Sequence, residues 1–112
     1  MATQAVSVGG FPPGMTEVIT VKFERLANQW SDETEFVSSS TALVLNGAYQ
    51  QIIGMGPVVL PLILKRLETQ GGHWFWALKH ISGEDPVPAQ AVGNYERMRE
   101  VWLNWGRERH YL

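Results

Sequence analysis

The chain has 112 residues, of which 45% are hydrophobic and 18% are charged, and its formal net charge is −2. This length accommodates one domain with a single core, and the composition is that of a folded soluble protein rather than a disordered one. The lack of cysteine excludes disulfides, thiolate zinc sites and cysteine nucleophiles, and it favours a cytoplasmic location.

Targeting segments are not expected in this sequence. Its first residues have neither a basic region nor an apolar stretch of the kind that forms a secretory signal. Nowhere do about 18 apolar residues follow one another, so no membrane-spanning helix is expected. The longest apolar run ends at Lys65 and Arg66.

Charge is distributed unevenly along the chain. Residues 1–47 hold five acidic and two basic residues, whereas residues 48–112 hold six acidic and seven basic residues. A nucleic-acid-binding surface requires a clustered excess of bases. Arg107, Arg109 and His110 come nearest to such a cluster, but Glu108 lies among them. Nucleic acid is therefore not the expected partner.

Paired glycines and prolines in residues 1–15 predict a flexible tail, followed by one α-helical domain at residues 16–112.

Two structural periods compete in the segment that follows the predicted tail. From residue 17 to residue 30, an alternating pattern at Ile19, Val21 and Phe23 is typical of a strand. A longer pattern at Ile19, Phe23, Leu26 and Trp30 has helical spacing, and we therefore predict a helix.

Capping residues predict short helices in the middle of the chain. Residues 31–35 combine a serine N-cap with early acidic residues and predict the start of another short turn. Ser40 or Thr41 is expected to cap a segment at residues 42–45. Asn46 is expected to cap the next segment, which Gly54 and Gly56 then end.

The next two helices are predicted by apolar stripes between glycine breaks. Pro57 suits the first position of a helix, and Pro61 predicts a slight bend or a later start. This helix should end at Gly71. A helix at residues 73–81 is expected to stop at Gly83, which favours a left-handed cap. The first stripe is Leu60, Ile63, Leu64 and Leu67; the second is Trp74, Ala77, Leu78 and Ile81.

A proline-rich connector separates the last predicted helix from the rest. The prolines in residues 85–88 favour extended backbone, and a final helix is predicted at residues 91–106. Its apolar seam of Tyr95, Met98, Trp102 and Trp105 has the spacing of packed helices. We therefore predict an all-α fold, a compact bundle of about five short helices.

The pattern over residues 57–83 resembles HEAT-type helical repeats: a Gly-Pro turn, a leucine-rich helix, a glycine break and an aromatic helix. The resemblance implies HEAT-like packing of helix pairs. Because arrays need about three repeats for stability, the chain departs from a true array. The chain also resembles small bacterial proteins that end in a segment like Trp102–Leu103–Asn104–Trp105–Gly106. That second resemblance implies no activity.

Sites for chemistry are weakly supported. His73 and His80 share a helix face, with Glu84 and Asp85 beyond them, which permits a metal-dependent enzyme as one alternative. A cationic His80 in a last helical turn is the simpler interpretation. The glycines at 54 and 56 lack the partners of a phosphate loop. We predict no catalytic residue, no metal ligand and no cofactor.

Aromatic residues give the leading functional hypothesis. Trp74 belongs to the buried stripe, and a short helix cannot also bury both Phe75 and Trp76 against one neighbour. An exposed tryptophan near a cation is typical of interface hot spots. The alternative is that the N-terminal segment covers Trp76. The predicted partner-binding residues are Phe75, Trp76, Lys79 and His80.

The predicted function is a small non-enzymatic protein–protein interaction module, an adaptor or regulatory subunit, that binds another protein or a second copy of itself. No membrane association is expected. The sequence leaves two alternatives open. One is the metal-dependent enzyme at His73 and His80. The other is a nucleic-acid-associated regulatory factor that uses Lys65, Arg66, Arg97, Arg99, Arg107 and Arg109.

Overall fold

The computed structural model describes residues 13–112, which contain six α-helices, two 3₁₀ turns and no strand. The all-α prediction is therefore confirmed for this part of the chain. The helices are α1 (Pro13–Glu33), α2 (Ser40–Leu45), α3 (Gly47–Gly54), α4 (Leu60–Gln70), α5 (Phe75–Ser82) and α6 (Tyr95–Glu108). The 3₁₀ turns are Pro57–Val59 and Ala89–Ala91.

A flexible tail was predicted at residues 1–15, and residues 1–12 of it lie outside the described part of the chain. Its last three residues belong to α1, which was not expected. Helix formation from Pro13 has a simple cause, since the fixed φ of proline suits the first helical position and its missing N–H costs no helical hydrogen bond there.

Two compact units divide the chain, one ending at Val59 and the other spanning residues 60–112. In the first unit, α1 packs on α3. Phe23, Leu26 and Trp30 are buried as the helical spacing predicts, and the Trp30 and Tyr49 rings lie 5.3 Å apart. Val21 is 63% exposed, which excludes the strand alternative that placed it on the same face as Phe23.

The turn after α1 differs from the prediction. Residues 31–33 form the last turn of α1 and do not cap a new helix. The backbone N–H of Thr34 makes a last helical hydrogen bond to the carbonyl of Trp30 at 3.0 Å, and its hydroxyl donates to the same carbonyl at 2.6 Å, so Thr34 closes α1 and does not cap a new helix. A side chain that bonds back to the preceding turn competes with capping of a following one.

Two caps organise the short helices of the first unit. The N-cap of α2 is Ser39, one residue before the predicted ones, and its Oγ accepts from the N–H of Ala42 at 3.3 Å. Asn46 caps α3 as predicted: its Oδ1 accepts from Ala48 N at 2.9 Å and from Tyr49 N at 3.3 Å. These bonds satisfy amides that have no partner within their helix.

In the second unit, α4 packs on α5 and α6, and α5 packs on α6. The α4 helix begins at Leu60, the later start that Pro61 predicted, because proline in a first turn removes no helical hydrogen bond. It ends before Gly71, and the predicted apolar stripes supply most of the core, although Ile81 and Met98 are only half-buried and Tyr95 is 39% exposed. Fully buried side chains of this core include Ile63, Leu64, Leu67, Trp74, Leu78 and Trp102.

The starts of α5 and α6 fall later than predicted. The α5 helix begins at Phe75 rather than at His73, because Gly71 and Gly72 both have positive φ and interrupt the helical path. The α6 helix begins at Tyr95 rather than at residue 91. Gly93 has φ of 89°, and Asn94 then caps the helix by accepting from Arg97 N at 3.1 Å.

Polar side chains fix the turns of the second unit. Arg99 donates from Nη2 to the carbonyl of Glu68 at 2.7 Å and from Nε to that of Leu67 at 3.1 Å, a carbonyl that also accepts from Gly71 N, so the guanidinium binds the last turn of α4. Glu84 accepts from Trp105 Nε1 at 3.2 Å and pairs with Arg109, whose guanidinium lies over the Trp105 ring. These bonds hold the segment after α5 against α6.

In the described part of the chain, no single helix is long and apolar enough to cross a membrane. The pair Gly47–Gly54 and Pro57–Gln70 reaches the required length and composition only when the two are counted together.

Candidate partner-binding groove

A groove of about 290 Å³ opens on the surface of the second unit. Residues of α5, of the segment joining α5 to α6, and of α6 line it. We call it the α5 groove and define it by its lining residues: His73, Phe75, Trp76, Lys79, Asp85, Val87, Val92, Met98 and Trp102.

The helical period of α5 places Trp76 beside this groove. Trp74, Ala77 and Leu78 point into the core and are at most 1% exposed, whereas Trp76 is 37% exposed. A helix of eight residues buries one stripe against its neighbours, so the next large side chain lies at the edge of that stripe. The sequence-based expectation that Trp76 is partly exposed agrees with this position.

The indole of Trp76 packs on the imidazole of His80, one turn further along α5. The two ring centroids are 3.8 Å apart and the ring planes are inclined by 33°. Residues four apart on a helix are surface neighbours, so this contact follows from their spacing. His80 therefore contacts one part of the Trp76 side chain, which remains 37% exposed.

Other apolar groups extend the surface around Trp76. The rings of Phe75 and Tyr95 lie 5.3 Å apart, and Tyr95 is 39% exposed. Val92, in the segment that joins α5 to α6, is 67% exposed and also lines the groove. Met98 lies half-buried in the lining, and its flexible thioether side chain adapts readily to different apolar contacts.

Two formal charges line the groove, and they neutralise each other. Lys79 Nζ lies 3.6 Å from Asp85 Oδ2, and about half of each side chain is exposed. The other carboxylate oxygen of Asp85 accepts from Val87 N at 3.2 Å, which fixes the connector as it leaves the turn. Burial lowers the pKa of His73, so its imidazole is neutral at pH 7.

Three of the four predicted partner-binding residues, Phe75, Trp76 and Lys79, line this groove together, and His80 contacts it through Trp76. Sequence reasoning missed Val87 and Val92, which come from the connector. The signal was present in part, because the prolines at 86 and 88 predicted an extended path. Nothing local indicated that this path passes beside α5.

The basic residues of the nucleic-acid alternative are mostly engaged by other groups. Arg107 Nη2 lies 3.5 Å from Glu68, Lys65 lies 3.3 Å from the same carboxylate, and Arg109 pairs with Glu84. Arg99 holds backbone carbonyls of α4, and Arg66 is buried. Arg97 is exposed on α6. Phosphate contacts would compete with these pairs, although nucleic-acid binding itself stays a prediction.

The residues of the metal alternative have separate roles in the described structure. His80 packs on Trp76, Glu84 bonds to Trp105 and Arg109, and His73 lies at the groove. Among residues 13–112, no group of three or more histidine, aspartate or glutamate side chains is placed to hold a metal ion.

No family model, no curated protein and no solved structure matches this chain. The geometry of the α5 groove is therefore the basis for assigning a function.

Proposed function

We propose that this protein is a non-enzymatic helical interaction module, an adaptor or regulatory subunit, whose α5 groove binds a protein partner. One observation carries the proposal: Trp76 keeps 37% of its surface exposed at the edge of an apolar groove, while the neighbouring Trp74 is buried. Tryptophan is enriched among the residues that dominate binding free energy at interfaces.

The energetics of the groove support recognition of an apolar group. Each square ångström of apolar surface removed from water contributes about 25 cal/mol, so covering Trp76 and Val92 favours association. Both side chains remain in contact with water in the described structure. Contiguous exposed apolar surface of this kind is typical of interaction sites.

The polar groups of the groove favour recognition over catalysis. Lys79 and Asp85 pair with each other at the surface, and burial keeps His73 neutral. General acid–base work needs groups whose environments drive their pKa values apart across a cleft that holds the reacting atoms. An exposed mutual ion pair instead provides orientation at the rim of an interface.

The proposal extends to architecture and location. We also propose that α4 and α5, which are joined across Gly71 and Gly72, pack in the HEAT-like manner that the sequence pattern suggests; solenoids built from such helix pairs use extended surfaces for binding. A cytoplasmic location completes the proposal and is supported by the cysteine-free composition.

The test compares two single substitutions of exposed aromatic residues. Tagged wild-type protein is cross-linked in its native cells, and captured proteins are quantified by mass spectrometry. Trp76→Ala should lose the captured partner, with unchanged far-UV circular dichroism. Phe36→Ala is the matched control, because Phe36 is 92% exposed but lies outside the groove, and it should retain the partner.

Two results would contradict this function. One is a Trp76→Ala variant that changes neither the set of captured proteins nor the self-association of the chain, with the helical signal intact. The other is loss of the helical signal itself in Trp76→Ala, since that would show that the indole supports the core instead of a partner.

A further inference from the structure

We infer that the occupant of the α5 groove is the α5 groove of a second copy of this chain, related to the first by a two-fold axis. The inference rests on the proposed function and names its partner. Two-fold symmetric pairs are by far the commonest assemblies of identical chains, and they require a surface patch that is complementary to itself.

The charges of the groove meet that requirement. Lys79 and Asp85 are the two formally charged side chains among its described lining residues, and they lie 3.6 Å apart. A two-fold axis that passes midway between these two side chains brings Lys79 of one copy toward Asp85 of the other, and the reverse contact forms by symmetry. The patch is thus electrostatically complementary to an identical patch.

The same charges disfavour a strongly charged partner. A partner carrying one sign of charge is attracted by one member of the Lys79–Asp85 pair and repelled by the other, so the pair gives no net steering. Both side chains are about half exposed, so each can exchange its present partner for the equivalent group of a second copy with little desolvation.

The apolar groups fit the same arrangement. Trp76, 37% exposed, and Val92, 67% exposed, both line the groove. In a two-fold pair, Trp76 and Val92 of each copy contact the groove of the other copy, so all four side chains are removed from water. Residues that dominate the binding free energy tend to pair with similarly important residues of the partner. The interface therefore has an apolar centre with charges at its rim.

The test uses charge reversal and mixing. Wild-type protein should show a monomer–dimer equilibrium in sedimentation velocity over a range of concentrations. K79E leaves two negative charges in the groove and D85K leaves two positive ones, so each variant alone should self-associate roughly tenfold or more weakly. An equimolar mixture of K79E and D85K should restore the dimer as a heterodimer.

Mixing separates contact between copies from the ion pair within one copy. The internal Lys79–Asp85 pair is broken in both variants and cannot be rebuilt by mixing, so recovery of the dimer requires contact between chains. If D85K loses its helical circular dichroism, D85N replaces it, because the amide Oδ1 retains an acceptor for Val87 N. K65E is the control, since Lys65 is exposed on α4 outside the groove.

Each outcome decides the inference. A wild-type chain that stays monomeric, a dimer that K79E and D85K leave unchanged, or a mixture that stays monomeric would overturn it. If the wild type is monomeric but still captures another protein through Trp76, the second copy is excluded and the interaction function stands. If Trp76→Ala changes neither self-association nor capture, the interaction function falls as well.

Discussion

The phenol of Tyr95, at the start of α6, makes two hydrogen bonds with the backbone of Gly72, between α4 and α5. Its oxygen accepts from Gly72 N at 2.9 Å, and its hydroxyl donates to Gly72 O at 3.0 Å. Gly72 has φ of 112°, a backbone conformation that favours glycine. The two bonds tie the α4–α5 turn to α6 and thereby position two elements that line the α5 groove.

Removing this phenol should lower stability without removing the ring. Tyr95→Phe loses both hydrogen bonds, each worth about 1 kcal/mol at most at a solvent-accessible site, so the free energy of unfolding should fall by about 1 kcal/mol. Urea denaturation measures the change. Tyr111→Phe is the control, because the Tyr111 hydroxyl makes no hydrogen bond within residues 13–112, and it should change stability little. Equal effects of the two substitutions would refute the role of the Gly72 contact.

Gly106 allows α6 to approach α4 closely. A Cβ at this position would lie 2.7 Å from Leu64 Cδ1, and Leu64 is fully buried. Overpacking of a core costs about 1–3 kcal/mol, which exceeds the gain of about 1 kcal/mol that alanine brings to a helix. Gly106→Ala should therefore destabilise the protein.

The control for Gly106→Ala is Gly54→Ala at the end of α3, where a Cβ meets nothing within 4 Å. Its free energy of unfolding should rise slightly, by up to about 0.5 kcal/mol. Shortening Leu64 to alanine in the Gly106→Ala background should cost less than in the wild type, because the clash is relieved. Strict additivity of the two substitutions would argue against a direct contact.

Asn46 joins the cap of α3 to the end of α1. Its Oδ1 accepts from two backbone amides of α3, and its Nδ2 donates to Glu33 Oε1 at 3.0 Å. Asn46→Ala should lower the free energy of unfolding by about 1 kcal/mol through loss of the cap. Asn46→Ser keeps an uncharged acceptor for the cap and should cost less, as urea denaturation of both variants would show.

Asn46→Ala should also change the pKa of Glu33. The hydrogen bond from Asn46, and then that from Gln29, lower the pKa of this carboxyl. A lowered pKa stabilises the fold above the ordinary carboxyl pKa, and this contribution is lost as pH falls through the lowered value. In Asn46→Ala, NMR titration should show the Glu33 pKa rising toward its ordinary value. An unchanged pKa would contradict the assigned cause.

Local signals in the sequence predicted much of the fold. The stripe of Leu60, Ile63, Leu64 and Leu67 is buried because a single amphipathic helix records its own core face. Asn46 caps α3 and Gly83 adopts the left-handed cap, as predicted, because each effect depends on neighbouring residues alone. The prediction of a new turn at residues 31–35 was wrong for a related reason. The hydroxyl of Thr34 can bond either to a following turn or to the preceding one, and it donates to the carbonyl of Trp30 in the preceding turn.

The candidate site was predictable only on its helical side. The short helix α5 determines that Trp76 lies at the edge of the buried stripe, so sequence spacing identified it. The rest of the lining depends on the path of the segment that joins α5 to α6, which contributes Val87 and Val92 to the same groove. No local period encodes that path. The opposing charges of Lys79 and Asp85 became informative only when their separation was known.

His73, at the groove, gives the fold a dependence on pH. Burial lowers the pKa of its imidazole below the ordinary value of 6.5. His73 therefore accepts a proton less readily in the folded chain than in the unfolded chain. Stability should therefore decrease as pH falls below 6.5 and level off below the lowered pKa. His73→Gln should remove this component. Urea denaturation from about pH 8 to about pH 5 gives the free energy of unfolding of the wild type and of His73→Gln. If the two free energies change with pH in parallel, another group is responsible.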